Sequence, residues 1–338
     1  MLKIFKKFML ATAVVAGAAS LPEAAGASVW DDYKALFIKD TGAVVDTYNH
    51  NMSHSEGQSY ALMFALAFND QDTFSRVLSF TESKLRDPNS GLHYWAYKPE
   101  EADPVSDKNN ATDGDLMIAW ALMKAGETWG IKDFSTKGED LAKAIADKCA
   151  VNFAGYRLLL PGVDGFYKNS SVIVNPSYIV LPALSYIANR THDKVFEDLY
   201  NDGKRLLEAV GNSGFKVNLV PDWIEVDAQG RITPSTQWPA RSSYDAIRVP
   251  LYESWDDPSS PLLAPWRAWF GKFGPDNNPA WVNVTTGETA NYMMSEGLTA
   301  VKALALGMAG TQEPRITSAD DYYNASLKLL SYLAARHF

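Results

Sequence analysis

The chain has 338 residues and a formal net charge of −9, and its length suits one large domain or two modest ones. An acidic surface argues against nucleic acid and anionic lipid as partners and disfavours a polyanionic substrate, whereas a neutral polymer carries no such penalty. Cys149 is the only cysteine, so no internal disulfide can form and the core alone must hold the fold.

Residues 1–27 have the pattern of a secretory signal peptide. Three lysines come first, an apolar run covers 8–19, and small residues suited to cleavage end at Ala27. The run is too short to span a bilayer, so a retained membrane anchor is the less favoured alternative. We expect an exported protein, periplasmic or secreted, that is not inserted in a membrane after cleavage.

Helical periodicity dominates residues 28–338, because apolar residues recur there at three- and four-residue spacing. It predicts helices at 30–39, 56–69, 71–86, 113–129, 136–149, 177–189, 193–210, 244–252, 261–273, 292–305 and 318–336. The segment 215–234 instead alternates in the manner of strands around a Gly-containing turn. It predicts a short β-hairpin, joined by the run at 172–174.

No linker divides these residues, so the prediction is a single catalytic domain at 28–338. Eleven helices most economically form paired layers around a centre, which is an all-α toroid with a small β-hairpin insertion. A two-domain helical bundle is the alternative. The five scattered histidines and the single cysteine show no metal-ligand spacing, so we expect neither a metal nor a cofactor.

Three acidic segments carry unusual neighbours. Glu56 opens a predicted helix, Asp113 and Asp115 flank Gly114 at another helix start, and Asp245 lies three residues before Arg248. Each acid could be a helix cap, although Ser55 is a better cap than Glu56. The glycine suggests a backbone held close to a ligand, and the spacing of Asp245 and Arg248 predicts a charge-assisted pair.

Many aromatic residues lie beside Pro, Gly, Asn or Asp rather than in helical apolar stripes. Any one of them could belong to the core. As a set they suggest a platform for sugar rings, because aromatic rings are large, flat and amphipathic. The candidates for stacking or for binding hydroxyls are Trp95, Tyr178, Trp223, Tyr244 and Tyr292.

The three acidic segments resemble glycoside hydrolase family 8, the inverting endo-β-glucanases. The run from Ala111-Thr-Asp-Gly-Asp115 to Trp129 follows the family signature throughout, and the segments around Glu56 and Asp245 resemble its acid and base motifs in the same chain order. The resemblance extends over the whole mature chain and implies an (α/α)6 barrel, in agreement with the helix count.

The resemblance implies roles for the acids. Glu56 would be the general acid that protonates the leaving oxygen, Asp245 the general base that activates water, and Asp113 the group that holds the distorted sugar, while Asp115 would be structural. An inverting pair must stand about 6.5–9.5 Å apart to admit the water, and the acid needs burial or a nearby negative charge to stay protonated. Asp113 could supply that charge. Arg248 would favour ionised Asp245 and is also a candidate for binding substrate.

Within the family, the closest likeness is to the endo-β-1,4-glucanase that accompanies bacterial cellulose synthesis. It implies β-1,4-glucan chains as the substrate, trimming of nascent cellulose, and a cellulose synthase export complex as a possible partner. The alternatives are a sibling specificity (xylanase, chitosanase or lichenase), a non-catalytic glucan-binding subunit of the exporter, and, more distantly, a polysaccharide lyase.

Overall fold

The computed structural model describes residues 28–168, 170–275 and 277–338, so the predicted signal peptide lies outside the described residues. This part of the chain contains eleven α-helices, one for each helix that the periodicity predicts. They are α1 (Val29–Phe37), α2 (Ser55–Ala67), α3 (Gln71–Lys84), α4 (Thr112–Trp129), α5 (Lys132–Cys149), α6 (Leu181–Thr191), α7 (Lys194–Gly211), α8 (Arg248–Asp256), α9 (Ala264–Phe270), α10 (Glu296–Ala305) and α11 (Tyr322–Ala335).

The helices form an (α/α)6 barrel, as predicted. A closed ring runs from α2 through α4, α6, α8 and α11 back to α2, while α3, α5 and α7 pack outside α2, α4 and α6, and α10 packs on both α8 and α11. Almost every residue of α2 and most of α4 are buried, because a helix in the inner layer has neighbours on all sides. The first turns of α2 and α4 bring their acidic residues to the same place.

Five helices begin three or four residues later than the periodicity predicts, and proline explains the starts of three of them, α6, α8 and α9. Pro182, Pro250 and Pro265 would each fall inside the predicted helices 177–189, 244–252 and 261–273. In the structure each lies in the first turn of α6, α8 or α9, where the missing N–H would have no intrahelical partner anyway. As a consequence Asp245 lies in a turn before α8 rather than on a helix.

Ten short strands lie in the described residues. They are β1 (Ser53–His54), β2 (Ala96–Tyr97), β3 (Ala150–Phe153), β4 (Tyr156–Leu159), β5 (Tyr167–Lys168), β6 (Ser171–Val174), β7 (Ile224–Asp227), β8 (Ile232–Pro234), β9 (Arg241–Ser242) and β10 (Val282–Asn283).

The predicted hairpin is present and belongs to a larger sheet. Strands β7 and β8 pair in antiparallel fashion around Gly230, which has a positive φ, and the sheet has the order β5-β6-β7-β8. The pairing of β6 with β7 confirms the expected link to residues 172–174, whereas the run from Val217 does not form a strand. The hairpin β3–β4 and the pairs β1–β2 and β9–β10 were not predicted.

One hydrophobic cluster extends from Val29 on α1 to Ala334 on α11 and includes side chains of every helix. Cys149 is buried within it and has a free thiol, as expected. Within the ranges that the structure describes, no helix combines the length and the apolar character needed to cross a membrane.

Candidate active site

The guanidinium of Arg248 holds three carboxylates together. Its Nη1 donates to Glu56 Oε2 and, over 3.2 Å, to Asp113 Oδ2, while its Nη2 donates to Asp245 Oδ1 over 2.7 Å. The arginine is only 2% exposed, so these charge-assisted contacts are shielded from water. The structure therefore brings together the three acids that the sequence analysis singled out, from the first turns of α2 and α4 and from the turn before α8.

The other contacts of Arg248 also go to protein atoms. Tyr60 accepts from Nη1 over 3.3 Å, Ser177 accepts from Nη2 over 3.0 Å, and the ring of Tyr178 lies 5.8 Å from the guanidinium carbon. The pair predicted between Arg248 and Asp245 forms, but across a turn. Arg248 thus lies beneath the carboxylates and binds them, in contrast to the expectation that it binds substrate directly.

Helices α2 and α4 approach each other closely where they begin. A Cβ added to Gly114 would lie 2.5 Å from the Ser55 hydroxyl and 2.9 Å from the Glu56 amide nitrogen, so only glycine fits. Glycine at this position was predicted to hold the backbone close to a ligand; the close neighbour in the structure is α2 instead. Ser55 is the first residue of α2 and does not cap it, since the cap position is His54.

Asp222, a partly buried acid that was not predicted as a site residue, holds the turn of Asp245. Asp222 accepts hydrogen bonds from the amides of Ser243, over 2.9 Å, and Ala246, over 2.8 Å, and from the Ser243 hydroxyl. Burial and the charge of Asp245 raise the pKa of Asp222 to about 6. Asp222 therefore fixes the backbone on both sides of Asp245.

The carboxylates differ in their access to solvent. The side chain of Asp113 is 5% exposed, that of Glu56 21% and that of Asp245 34%. Burial raises the pKa of Asp113 to about 7; Arg248 opposes this shift and the charge of Glu56 adds to it. Burial also raises the pKa of Asp245 despite the opposing effect of Arg248. The cluster therefore retains a proton near neutral pH, and the carboxyl that holds it most strongly is the least exposed one, Asp113.

Two predicted aromatic residues flank the carboxylates. The indole of Trp95 is partly exposed, stacks on the ring of His54 at a centroid distance of 6.3 Å, and donates to Asp107 over 2.8 Å. Tyr178 lies next to Arg248, and burial raises its pKa well above the usual value. Both rings are held in fixed orientations.

Trp223 occupies a different environment from the one predicted. The rings of Phe166 and Trp238 stack on it at centroid distances of 5.9 Å and 4.2 Å, so neighbours already occupy its faces. A hydrogen bond from its side chain acts to lower the pKa of Asp245. Trp238 is partly exposed and is the better candidate for sugar stacking, although the sequence analysis did not select it.

Two of the predicted tyrosines are exposed and contact each other. Tyr244 is 43% and Tyr292 48% exposed, and their hydroxyls are 3.4 Å apart. Tyr323 donates to the backbone oxygen of Tyr244, and Tyr322 donates to Glu56 Oε1 over 3.2 Å. The sequence analysis did not select the last two because both belong to α11, whose pattern is that of a core helix.

Asp115 points away from the cluster although it is only two residues from Asp113. It is fully buried and accepts from the backbone and the ring of His93 and from the Asn110 amide, over 2.8–3.0 Å. These contacts fit the structural role that the sequence analysis gave it. Within the described ranges, no group of three or more His, Cys, Asp or Glu side chains could hold a metal ion.

Comparisons with known proteins agree with this geometry. The family model described as glycosyl hydrolases family 8 matches residues 3–337. The chain is 43% identical to an endoglucanase of Cellulomonas uda over 88% of its own length and 83% of the relative, and 38% identical to a probable endoglucanase of Novacetimonas hansenii over 91% and 90%. The crystal structure of endoglucanase Cel10, a family 8 glycosyl hydrolase from Klebsiella pneumoniae, superposes with a TM-score of 0.89 at 44% identity and covers 91% of this chain and 99% of that one.

Proposed function

The chain belongs to the glycosyl hydrolases of family 8, and we propose that Glu56, Asp245 and Asp113 carry out its reaction on β-1,4-glucan chains. Members of this family invert the anomeric configuration, and the relatives at 43% and 38% identity are named endoglucanases. The protein is accordingly an inverting glycoside hydrolase with endoglucanase function. The observation that supports the residue assignment is the single buried guanidinium that three carboxylates share.

Glu56 acts as the general acid. Its carboxyl is partly exposed and near the surface of the cluster, where the oxygen of a leaving sugar can reach it. One of its oxygens faces Arg248 and the other accepts from Tyr322, so its orientation is set from two sides. Fixed orientation matters because proton transfer requires hydrogen-bond distance to the leaving oxygen.

Asp245 acts as the general base. It is the most exposed of the three acids, so a water molecule can approach it, and Asp222 keeps its turn in place. It contacts a different guanidinium nitrogen from the one that Glu56 contacts, and in this proposal the two carboxyl groups stand about 6.5–9.5 Å apart, the separation that an inverting reaction requires. Asp113 is the least exposed of the three, and its role in this proposal is to hold the sugar at the cleavage point.

The test is the stereochemistry of the first product combined with two isosteric variants. Proton NMR during the hydrolysis of cello-oligosaccharides should show the α-anomer first; early β-anomer would exclude an inverting reaction. Glu56→Gln and Asp245→Asn should each lower kcat by about 10²- to 10⁴-fold, the usual contribution of general acid–base catalysis. Affinity for oligosaccharides should change little.

The matched control is Glu197→Gln, which removes an exposed carboxylate on α7 and should leave kcat unchanged. Full activity of Glu56→Gln would refute the assignment of the acid. A wild-type protein that binds cello-oligosaccharides without cleaving them would instead be a glucan-binding subunit.

The preferred polymer is β-1,4-glucan in this proposal. The naming of both relatives as endoglucanases favours it over xylan, chitosan or mixed-linkage glucan. Initial rates on carboxymethylcellulose, xylan, chitosan and lichenan decide among them. A higher kcat/KM on any polymer other than carboxymethylcellulose would replace the proposed specificity.

The biological role that we propose is trimming of nascent cellulose by an exported enzyme. The signal-like sequence at 1–27 and the family resemblance support this role, with residues 28–338 acting as one catalytic unit. N-terminal sequencing of the mature protein should place the cut near Ala27. Deletion in the source organism should alter cellulose yield or fibre order, and co-purification with the synthase would identify the export complex as a partner.

A further inference from the structure

A cavity outside the carboxylate cluster lies at the other end of α8. Its volume is about 410 Å³, within the range of cavities that hold small molecules. Glu253 lines it, and this residue lies about 7.5 Å further along the α8 axis than Arg248. The cavity also includes side chains from α7, from the segment that follows α7, and from α9. It is therefore separate from the site of the proposed reaction.

Glu253 is an unsatisfied polar group in the wall of this cavity. The residue is 2% exposed, and its Oε2 is buried without a hydrogen-bond partner among the described residues. Burial raises the pKa of Glu253 to about 8, although Lys204 opposes the shift. At neutral pH the group is therefore mostly an uncharged carboxylic acid, which can both donate and accept. A buried polar atom without a partner is unfavourable, and a hydroxylated ligand would satisfy it once the Glu253 side chain turns towards the cavity.

The two cations in the cavity wall already have partners. Lys204 donates to Tyr200 and lies 3.6 Å from Asp256, and Arg205 is paired with Asp202. No cation of the cavity wall is thus left to attract an anion, which disfavours phosphate or carboxylate ligands.

The remaining lining combines one exposed carboxylate, that of Glu208, with neutral polar groups and an apolar surface. The polar side chains are Asn212, Asn218 and Ser260, and the apolar ones include Leu207, Val220, Leu262 and Trp266. This combination matches a sugar, whose ring presents C–H groups to an apolar wall and whose hydroxyls point to neutral donors and acceptors.

We propose that this cavity is a second, non-catalytic site that binds one or two sugar units of a neutral β-glucan. That the sugar is a β-glucan rests on the proposed function, whereas the existence of the site rests on the cavity itself. Because α8 also carries Arg248, an occupied site would hold a glucan chain or a released product against the same helix that supports the carboxylates.

Gly211 offers a direct way to close the cavity. It lines the wall at the end of α7, and a Cβ added there would meet nothing within 4 Å, so the backbone tolerates a side chain at this position and the ring of Gly211→Phe should occupy the opening. Asn201→Phe places the same ring on an exposed position of α7 that does not line the cavity and serves as the control. Glu253→Gln keeps a donor and an acceptor, whereas Glu253→Leu removes both.

The experiment is a titration of ¹⁵N-labelled Glu56→Gln protein with cellobiose, followed through the indole N–H resonance of Trp266, which is assigned by its loss in Trp266→Phe. Cellobiose should shift this resonance in a saturable manner. Gly211→Phe should abolish the shift, Asn201→Phe should leave it unchanged, and Glu253→Leu should raise Kd by about tenfold or more while Glu253→Gln stays within about threefold.

The outcomes separate the two proposals. Trp266 shifts that are absent, or that survive both Gly211→Phe and Glu253→Leu, overturn the second site even if the protein cleaves glucan. Saturable shifts that depend on Gly211, in a wild-type protein that cleaves no glucan, support the site and refute the proposed reaction. A response to inorganic phosphate but not to cellobiose would overturn the choice of a neutral ligand.

Discussion

Asp113→Asn tests whether the deepest carboxyl carries a proton at neutral pH. The pKa of Asp113 is raised from its ordinary value of 3.8 to about 7, mainly by burial. Between these values the native state binds more protons than the unfolded chain, so this group lowers the free energy of unfolding as pH rises through that window. One pKa unit corresponds to about 1.4 kcal/mol. The titration of Asp113 should therefore lower the free energy of unfolding by about 4 kcal/mol in total and by about 3 kcal/mol between pH 5 and pH 8.

Asparagine has nearly the same shape and no charge, so the variant lacks this pH dependence. Urea denaturation at pH 5, 6, 7 and 8 measures it: the stability of Asp113→Asn relative to wild type should increase by about 3 kcal/mol across this range. Asp140→Asn, which removes an exposed carboxylate on α5, is the control and should show no such trend. If the curves of wild type and Asp113→Asn run parallel, Asp113 is ionised throughout and the argument from burial fails.

Three further predictions concern residues around the carboxylate cluster. Gly114→Ala should destabilise the fold by about 1–3 kcal/mol because its Cβ would overlap Ser55, whereas Gly211→Ala, with open space around it, should be neutral or stabilising by up to about 1 kcal/mol; equal thermal shifts would contradict this. His93→Gln should lower the free energy of unfolding most at acidic pH, by about 3 kcal/mol. The two carboxylate partners of His93 raise the pKa of its imidazole against the effect of burial, so the loss of stability should become smaller as pH rises past that pKa. A loss that does not depend on pH would refute a charged imidazole. Trp95→Ala should raise KM by about three- to tenfold with kcat nearly unchanged, because a lost ring contact costs about 0.5–1.5 kcal/mol; an unchanged KM would remove this residue from the substrate-binding set.

The helices could be predicted because the inner and outer layers of the barrel need long amphipathic or wholly apolar segments, and such segments show a regular spacing of apolar residues in the sequence. It was less reliable for helix starts. At Pro182, Pro250 and Pro265 the apolar pattern continues through the segment before the helix, so periodicity alone extends each helix too far. If each of these prolines had been required to lie in the first turn of its helix, the three predicted starts would have agreed with the structure to within one turn.

Some residues of the site could be predicted from the sequence and others could not. Glu56, Asp113 and Asp245 lie in segments with a specific motif, and the motif allowed their prediction. Asp222 had no such signal, because its partners at Ser243 and Ala246 are more than twenty residues away and the contact depends on how β7 and the turn before α8 come together. The two covered faces of Trp223 are likewise a result of tertiary packing, which loop composition cannot predict.

The distribution of protons in the cluster follows from competing effects of unequal size. Asp113 is the second residue of α4 and contacts Arg248, and both the helix dipole and the cation favour its ionised form. The dipole contributes about 0.3–1 kcal/mol at an exposed terminus, which is small beside the burial that raises the pKa of Asp113 to about 7. A sugar hydroxyl that donates a hydrogen bond to Asp113 would favour its ionised form, so substrate binding would oppose the effect of burial and release the proton that this carboxyl holds.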